Sequence, residues 1–172
     1  MMKKGKQGLV MVLMGVSATG KTTLGEALAL ASGGDFYDGD DFHPEENRQK
    51  MAQGQALSDL DRKPWLEALA DFIEECSSKA APSFIACSAL KASYRAILAS
   101  KYEDLEWIFL HAPTELLRER ITKRYQSGEH FMPPSLLDSQ LATLQEPDDA
   151  LRLDVSESIE DLVEQYFIWK QS

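Results

Sequence analysis

Residues 15–22, Gly-Val-Ser-Ala-Thr-Gly-Lys-Thr, constrain the fold more strongly than any other part of this chain. They fit the pattern G-x-x-x-x-G-K-[ST] and directly follow an apolar run at residues 9–14, which has the length of a buried parallel strand. From Lys21 onwards, apolar residues recur at the spacing of an amphipathic helix. In such a strand–loop–helix unit, backbone N–H groups and the positive end of the helix dipole surround phosphate oxygens. The pattern therefore predicts a phosphate-binding loop for a nucleotide.

The chemistry of this loop assigns roles to two side chains. We expect Lys21 to neutralise the β- and γ-phosphates and the Thr22 hydroxyl to ligate Mg²⁺. The predicted nucleotide-binding residues of the loop are Gly15, Val16, Ser17, Ala18, Thr19, Gly20, Lys21, Thr22 and Thr23.

Length and charge limit the remaining possibilities. The 172 residues fit a single domain, and the formal net charge of −10 argues against general binding to nucleic acid or anionic membranes. The first apolar run is too short for a membrane span or a signal peptide, which favours a cytoplasmic protein. Cys76 and Cys87 lie in apolar or helical contexts, so we expect reduced structural thiols.

Strand and helix patterns alternate along the chain. Five strand candidates lie near residues 9–14, 36–38, 83–87, 105–110 and 151–155, with helical patterns between them. This alternation predicts an α/β fold with a parallel five-stranded sheet between two helical layers. We expect one helix to begin near Lys63 with Asp61 as its N-cap, and residues 125–134, with Gly128 and two prolines, to form a loop or lid.

Two carboxylates follow the second strand candidate. Asp38 and Asp40 flank Gly39 at the carboxyl end of that strand, where parallel α/β sheets place their binding sites. In a phosphotransferase, one carboxylate holds Mg²⁺ through water and another accepts the proton of the attacking hydroxyl. The alternative is a simple Asp-Gly turn. The predicted proximity to the phosphate loop favours the functional interpretation.

Several cations accompany these carboxylates on an otherwise acidic chain. His43, Arg48 and Arg62 lie within residues 40–66, which we interpret as the substrate-binding segment for an anionic substrate. Two further pairs have helical i,i+4 spacing, and solvated surface charge is the alternative for both. These pairs are Lys91 with Arg95, which would clamp a carboxylate, and Arg120 with Arg124, which would stabilise a transferring phosphoryl group.

In combination, these segments resemble the small P-loop gluconate kinases. The later strings are the specific part of the resemblance, because many kinases share the phosphate loop. The matching strings are residues 14–17, 38–40, 43–44, 61–66, 87–91, 94–95, 130–133, 136–137, 139–140 and 146–147, with Asn47, Lys50, Met51, Gly54, Leu57 and Asp59 as single matches.

The resemblance implies a fold of the nucleoside-monophosphate-kinase and shikimate-kinase type with a lid. It implies ATP- and Mg²⁺-dependent phosphorylation of D-gluconate at its 6-hydroxyl, feeding the pentose phosphate or Entner–Doudoroff pathway, in a cytoplasmic homodimer. Asp40 would contact the substrate hydroxyl as base, Asp38 would support Mg²⁺, and the loop after Val155 would cradle adenine. The implied sugar-acid contacts are Asp40, His43, Arg48, Arg62, Lys91, Arg95 and His130; Arg120 and Arg124 would face the ATP.

Some positions depart from the family pattern. Ala18 and Thr19 stand where the family often has a Gly-Ser pair, and we expect no functional consequence. The spacing between Arg124 and His130 is longer than the family's. Two alternatives stay open: a kinase of another small acid such as shikimate, and an ATP-binding regulator without turnover. The strings at residues 87–91 and 130–133 speak against the first, and Asp40 and Arg62 speak against the second.

Overall fold

The fold is built on one parallel sheet within residues 8–128 and 133–172, the residues described in this computed structural model. The strands are β1 (Val10–Met14), β2 (Asp35–Asp38), β3 (Ser83–Ala86), β4 (Glu106–His111) and β5 (Leu151–Asp154). Their order across the sheet is β2-β3-β1-β4-β5, and every neighbouring pair is parallel. The central strand β1 and its neighbour β3 are fully buried, as expected for a sheet covered on both faces.

Helices cover both faces of the sheet. They are α1 (Lys21–Ser32), α2 (Glu45–Ala52), α3 (Asp59–Cys76), α4 (Ala92–Leu98), α5 (Thr114–Gln126), α6 (Ser135–Thr143) and α7 (Ile159–Gln171), with a 3₁₀ turn at Gly39–Phe42. One buried cluster packs α3 and α4 against the sheet, and a second packs α1 and α7 against the opposite face. This confirms the predicted three-layer α/β fold with a parallel five-stranded sheet.

The sheet order brings the predicted site together. Leu13 of β1 and Asp38 of β2 both pair in register with Ala86 of β3, so the three strands end at the same level. The phosphate loop, the Asp38–Asp40 turn and Cys87 therefore share one edge of the sheet. Cys76 and Cys87 are buried free thiols, as expected. None of the helices in the described ranges is long and apolar enough to cross a membrane.

The start of α3 differs from the prediction. The helix begins at Asp59, and Ser58 is its N-cap, so the prediction of Asp61 as N-cap was wrong. Asp61 instead occupies the third helical position of a capping box: Ser58 Oγ accepts from its backbone N–H, and its carboxylate accepts from the Ser58 N–H. The polar segment before it contains the short helix α2, which had not been predicted.

Candidate active site

The phosphate loop has the backbone geometry that its glycines allow. Gly15 has φ +148°, and a Cβ there would lie 2.6 Å from the Leu110 carbonyl oxygen. Gly20 has φ +83° and is the N-cap of α1 without a side-chain cap, so the first amides of α1 remain available to an anion. Ala18 has φ +67°, in the left-handed region that favours glycine. The Ala-for-Gly departure therefore places backbone strain in the loop.

Lys21 lies across the mouth of this loop. Its Nζ donates to the carbonyl oxygens of Gly15 at 3.0 Å and Val16 at 3.1 Å. Burial lowers the pKa of the Lys21 ammonium, and the negative charges of Asp40 and Asp38 partly oppose that shift. Arg124, which lines the same cleft, adds to the lowering of the Lys21 pKa by repulsion. Two cations, Lys21 from the loop and Arg124 from α5, thus lie where phosphate oxygens would bind.

Two clefts adjoin the loop, and Ala18, Gly20 and Arg124 line both. The first has a volume of about 310 Å³ and the second about 470 Å³. The predicted site residues in the first are Ser17, Ala18, Gly20, Lys21, Thr22, Asp38, Asp40, His43, Arg62 and Arg124. Those in the second are Ala18, Thr19, Gly20, Thr23, Arg120 and Arg124, beside Val155 and Glu157.

Asp38 and Asp40 form the floor of the first cleft. The Asp38 Oδ1 accepts a hydrogen bond of 2.9 Å from the backbone N–H of Asp40 and caps the 3₁₀ turn. The Asp40 carboxylate is 49% exposed and faces the cleft. Burial, followed by the charge of Asp38, raises the pKa of Asp40 to about 6, against the opposing effect of Lys21. A carboxylate with a pKa near neutrality beside a phosphate site is suited to accept a proton.

His43 stands next to Asp40 and is held by Trp65. The His43 and Trp65 rings stack with centroids 3.9 Å apart, and the Trp65 Nε1–H donates to the Gly39 carbonyl at 2.8 Å. The His43 Nε2 lies 3.7 Å from Asp40 Oδ1. Burial and the nearby cations lower the pKa of His43 to about 4, so the ring is neutral at neutral pH. Trp65 from α3 thereby fixes both the 3₁₀ turn and the imidazole.

Arg62 brings a guanidinium into the same cleft. Its Nη1 donates to the Leu57 carbonyl at 2.6 Å and to the Tyr94 hydroxyl at 3.1 Å. The Tyr94 hydroxyl in turn donates to Asp59, and Lys91 Nζ lies 3.0 Å from the Asp59 carboxylate. The anchored Nη1 orients the guanidinium, which is suited to bidentate binding of a carboxylate.

The other predicted cations occupy supporting positions. Arg48 donates to the carbonyl oxygens of Asp40, Asp41 and His43, outside the described cleft lining. Arg95 donates to the carbonyl oxygens of Ala89 and Gln145, and neither it nor Lys91 lines the described cleft. Arg120 donates to the Val155 carbonyl and so joins α5 to the end of β5. His130 and the other three positions of the predicted lid within 129–132 lie outside the described residues.

Two residues that line the first cleft, and a third that contacts His43 from outside that lining, were not predicted to have a site role. Trp65 had been interpreted as packing only; its contact with Gly39 joins positions 26 residues apart, which no local pattern reveals. The Gln140 Oε1 accepts at 2.7 Å from the backbone N–H of Ser17 and so connects α6 to the phosphate loop. Asn47 follows His43 at helical spacing, and its amide contacts that ring. This spacing and the match of Asn47 to the family pattern were the available sequence signals.

The chain is similar over most of its length to known kinases. The family model described as "AAA domain" matches residues 10–147. The thermosensitive gluconokinase of Escherichia coli (strain K12) is 40% identical, with 90% of this chain and 83% of that protein covered. The crystal structure of an unliganded sugar kinase from Janibacter sp. HTCC2649 has a TM-score of 0.87 at 39% identity and 95% coverage of both chains. A gluconokinase from Sinorhizobium meliloti 1021 has a TM-score of 0.79 at 37% identity, with 97% and 98% covered. On its fold, its cleft and these similarities, the chain belongs to the gluconokinase family of P-loop kinases.

Proposed function

We propose that this protein transfers the γ-phosphoryl group of ATP to the 6-hydroxyl of D-gluconate, giving 6-phospho-D-gluconate. One observation carries the proposal: a single cleft holds the phosphate loop, a carboxylate with a raised pKa and an anchored arginine. This arrangement supplies a phosphate site, a proton acceptor and a carboxylate site, the three parts that such a transfer requires.

The phosphate half of the site is assigned to the loop and α5. Backbone amides from residue 15 to 23 would hold the phosphates, and Lys21 and Arg124 would stabilise the charge on the transferring group. The second cleft, between α1, α5 and the loop after Val155, would take the adenosine. Arg120 supports this side by holding the Val155 carbonyl at 2.9 Å.

The acid half is assigned to residues from the 40–66 segment. Asp40 would accept the proton of the attacking hydroxyl, and Arg62 would bind the carboxylate of the acid. His43 would donate to a hydroxyl from its neutral ring. Arg48, Lys91 and Arg95 would support the walls of this half through their backbone and side-chain contacts.

The residues present also fit Mg²⁺. The Thr22 hydroxyl and the Asp38 carboxylate both line the first cleft, and oxygen ligands are the ones this cation prefers. Bound with ATP, Mg²⁺ would neutralise phosphate charge. Thr22 would contribute a direct ligand, while Asp38 would act through water and through its hold on the Asp40 backbone.

The decisive experiment is a measurement of ADP release with Mg-ATP in the presence of D-gluconate, of shikimate or of no acid. We expect gluconate to stimulate release strongly and shikimate to leave the rate at the background. Stimulation by shikimate alone would replace gluconate with another small acid. Binding of ATP without any acid-stimulated release would identify a regulator without turnover.

Two further expectations from the sequence stay proposals: a homodimer, which the family resemblance implies, and a cytoplasmic location. Light scattering behind a sizing column would give twice the chain mass of 19.3 kDa for a dimer. Cell fractionation with an antibody to the chain would test the location.

A further inference from the structure

Asn47 connects α2 to the acid half of the site through two hydrogen bonds. Its Nδ2 donates to the backbone carbonyl of Asp61 at 2.8 Å and lies 3.3 Å from Nδ1 of His43. Both Asn47 and His43 are buried, at 3% and 7% exposure. A buried amide in this position has little access to water, so its orientation depends on these two partners.

The Asp61 carbonyl determines which way the Asn47 amide points. A backbone carbonyl oxygen can only accept a hydrogen bond, so the Asn47 atom facing it at 2.8 Å is the nitrogen. The reverse orientation would place two acceptor oxygens against each other. Asp61 is itself held in place, because its carboxylate accepts from Lys50 Nζ and from the Ser58 backbone N–H in the capping box of α3.

The orientation of Asn47 determines the tautomer of His43. The second hydrogen of the Asn47 amide faces His43 Nδ1, and that nitrogen must accept it and carry no proton. A neutral imidazole then has its proton on Nε2. The Nε2 atom is the one that lies 3.7 Å from Asp40 Oδ1, within the cleft.

We propose that Asn47 is a positioning residue, which fixes His43 in the Nε2–H form so that His43 and Asp40 present a matched donor and acceptor to one substrate hydroxyl. A hydroxyl can donate to Asp40 and accept from His43 Nε2–H at the same time. The 3.7 Å between His43 Nε2 and Asp40 Oδ1 is long for a direct hydrogen bond. It leaves both atoms able to hydrogen-bond to the same substrate oxygen. The role in substrate binding rests on the proposed function; the tautomer does not.

The surrounding charges support a neutral ring. The charged groups near His43 are Asp40 on the 3₁₀ turn, Arg48 on α2 and Arg62 on α3. Arg48 and Arg62 oppose a positive charge on His43, as does burial beneath Trp65. Protonation of Nδ1 would also replace the hydrogen bond from Asn47 with a contact between two donors.

The tautomer of His43 can be determined without substrate from ¹⁵N–¹H correlation spectra of the histidine rings. The chain has three histidines, and a His43→Gln variant identifies the His43 signals by their loss. We expect an unprotonated Nδ1 and a protonated Nε2 in the native protein from pH 8 down to about pH 5. A protonated Nδ1 in this range overturns the proposal, whether or not gluconate is the substrate.

Asn47→Asp then tests the link to catalysis. An aspartate of the same shape accepts from His43 Nδ1–H, so the proton should move to Nδ1 and the ring should charge nearer neutral pH. We expect kcat/KM for the acid to fall about tenfold, with KM for ATP unchanged. Gln49→Glu adds the same charge on an exposed position of α2 and should change neither quantity. Asn47→Ala removes the donor without adding charge and should give a mixture of tautomers.

The spectra and the kinetics together decide the proposal. A changed tautomer with an unchanged kcat/KM for the acid would overturn the positioning role. An equal loss of kcat/KM in Asn47→Asp and Gln49→Glu would also overturn the positioning role, because the added charge alone would then explain the loss. Asn47→Ala provides the second variant should Asn47→Asp fail to fold, since the contact between the new carboxylate and the Asp61 carbonyl is unfavourable.

Discussion

The two halves of the cleft are assembled in different ways. The phosphate half is centred on a loop of consecutive residues, in which Lys21 donates to carbonyls only five and six residues away. The acid half depends on side chains from α2, α3 and the 3₁₀ turn, joined by contacts such as Trp65 to Gly39 and Asn47 to Asp61. A local backbone site can be recognised from a short sequence pattern, whereas a site assembled from distant segments cannot.

The strongest test of the phosphate half is Lys21→Ala. The lysine is the one fixed cation within the loop itself, so its removal should lower kcat by about 10³-fold or more while the fold is retained. ADP release and far-ultraviolet circular dichroism measure the two effects. Lys63→Ala is the matched control, because Lys63 is exposed and paired with Glu67 at 3.8 Å. Comparable losses in both variants would contradict the local assignment.

Asp40→Asn tests the point where the two halves meet. The amide keeps the shape of the carboxylate but cannot accept the hydroxyl proton, so kcat should fall about 10²-fold or more. In the native protein, kcat/KM should rise with pH through about 6 as Asp40 ionises, and this rise should be absent in the variant's residual activity. Asp41→Asn, at an exposed neighbouring position, should keep the rate and the rise with pH, with the rise moved to slightly lower pH because the Asp41 charge helps to raise the pKa of Asp40. Near-normal turnover in folded Asp40→Asn would remove Asp40 from the mechanism.

The same substitution should stabilise the protein. The folded pKa of Asp40, about 6, lies above its ordinary value of 3.8, so ionisation of this group lowers the free energy of unfolding as pH rises through 6. Because the side chain is 49% exposed, solvent screening reduces the effect to about 1 kcal/mol. Chemical denaturation should therefore show Asp40→Asn to be more stable than the native protein at pH 8 and equally stable at pH 4. Equal stability at pH 8 would contradict the raised pKa.

The same contrast explains how much the sequence could reveal. The strand–loop–helix pattern and the strand ends correctly located Lys21, Asp38 and Asp40, because each depends on a local element and on the sheet order. The strain at Ala18 was missed, since a motif specifies residue types and not a φ of +67°. The expectation that its replacement of glycine has no functional consequence stays a prediction, because a strained φ does not test catalysis.

Sequence was least informative about the cations of the acid half. Arg62, Lys91 and Arg95 all match the family pattern, yet only Arg62 lines the described cleft. The other two bond to Asp59 and to the carbonyls of Ala89 and Gln145, partners up to 50 residues away. Charge and spacing give the side of a helix that a cation occupies, but not whether its partner is substrate or protein.

The smallest expected effect, a change in KM for gluconate, distinguishes a cation that lines the cleft from one that bonds only to protein. Arg62→Gln and Lys91→Gln introduce the same neutral side chain, one inside the cleft and one outside it. Loss of the guanidinium should raise KM for gluconate about tenfold or more, because a charged hydrogen bond to the carboxylate is removed. Loss of Lys91 should change KM by about twofold or less, since its partner Asp59 is 66% exposed and the pair is screened.

Steady-state kinetics with gluconate as the varied substrate at saturating ATP measures both KM values. A large increase for Lys91→Gln would show that Lys91 leaves Asp59 to bind the acid, as the family resemblance implies. The acid half would then reorganise around its substrate. A small change would instead mean that Lys91 serves to hold Asp59 and Tyr94, and through them Arg62, in the geometry that already exists.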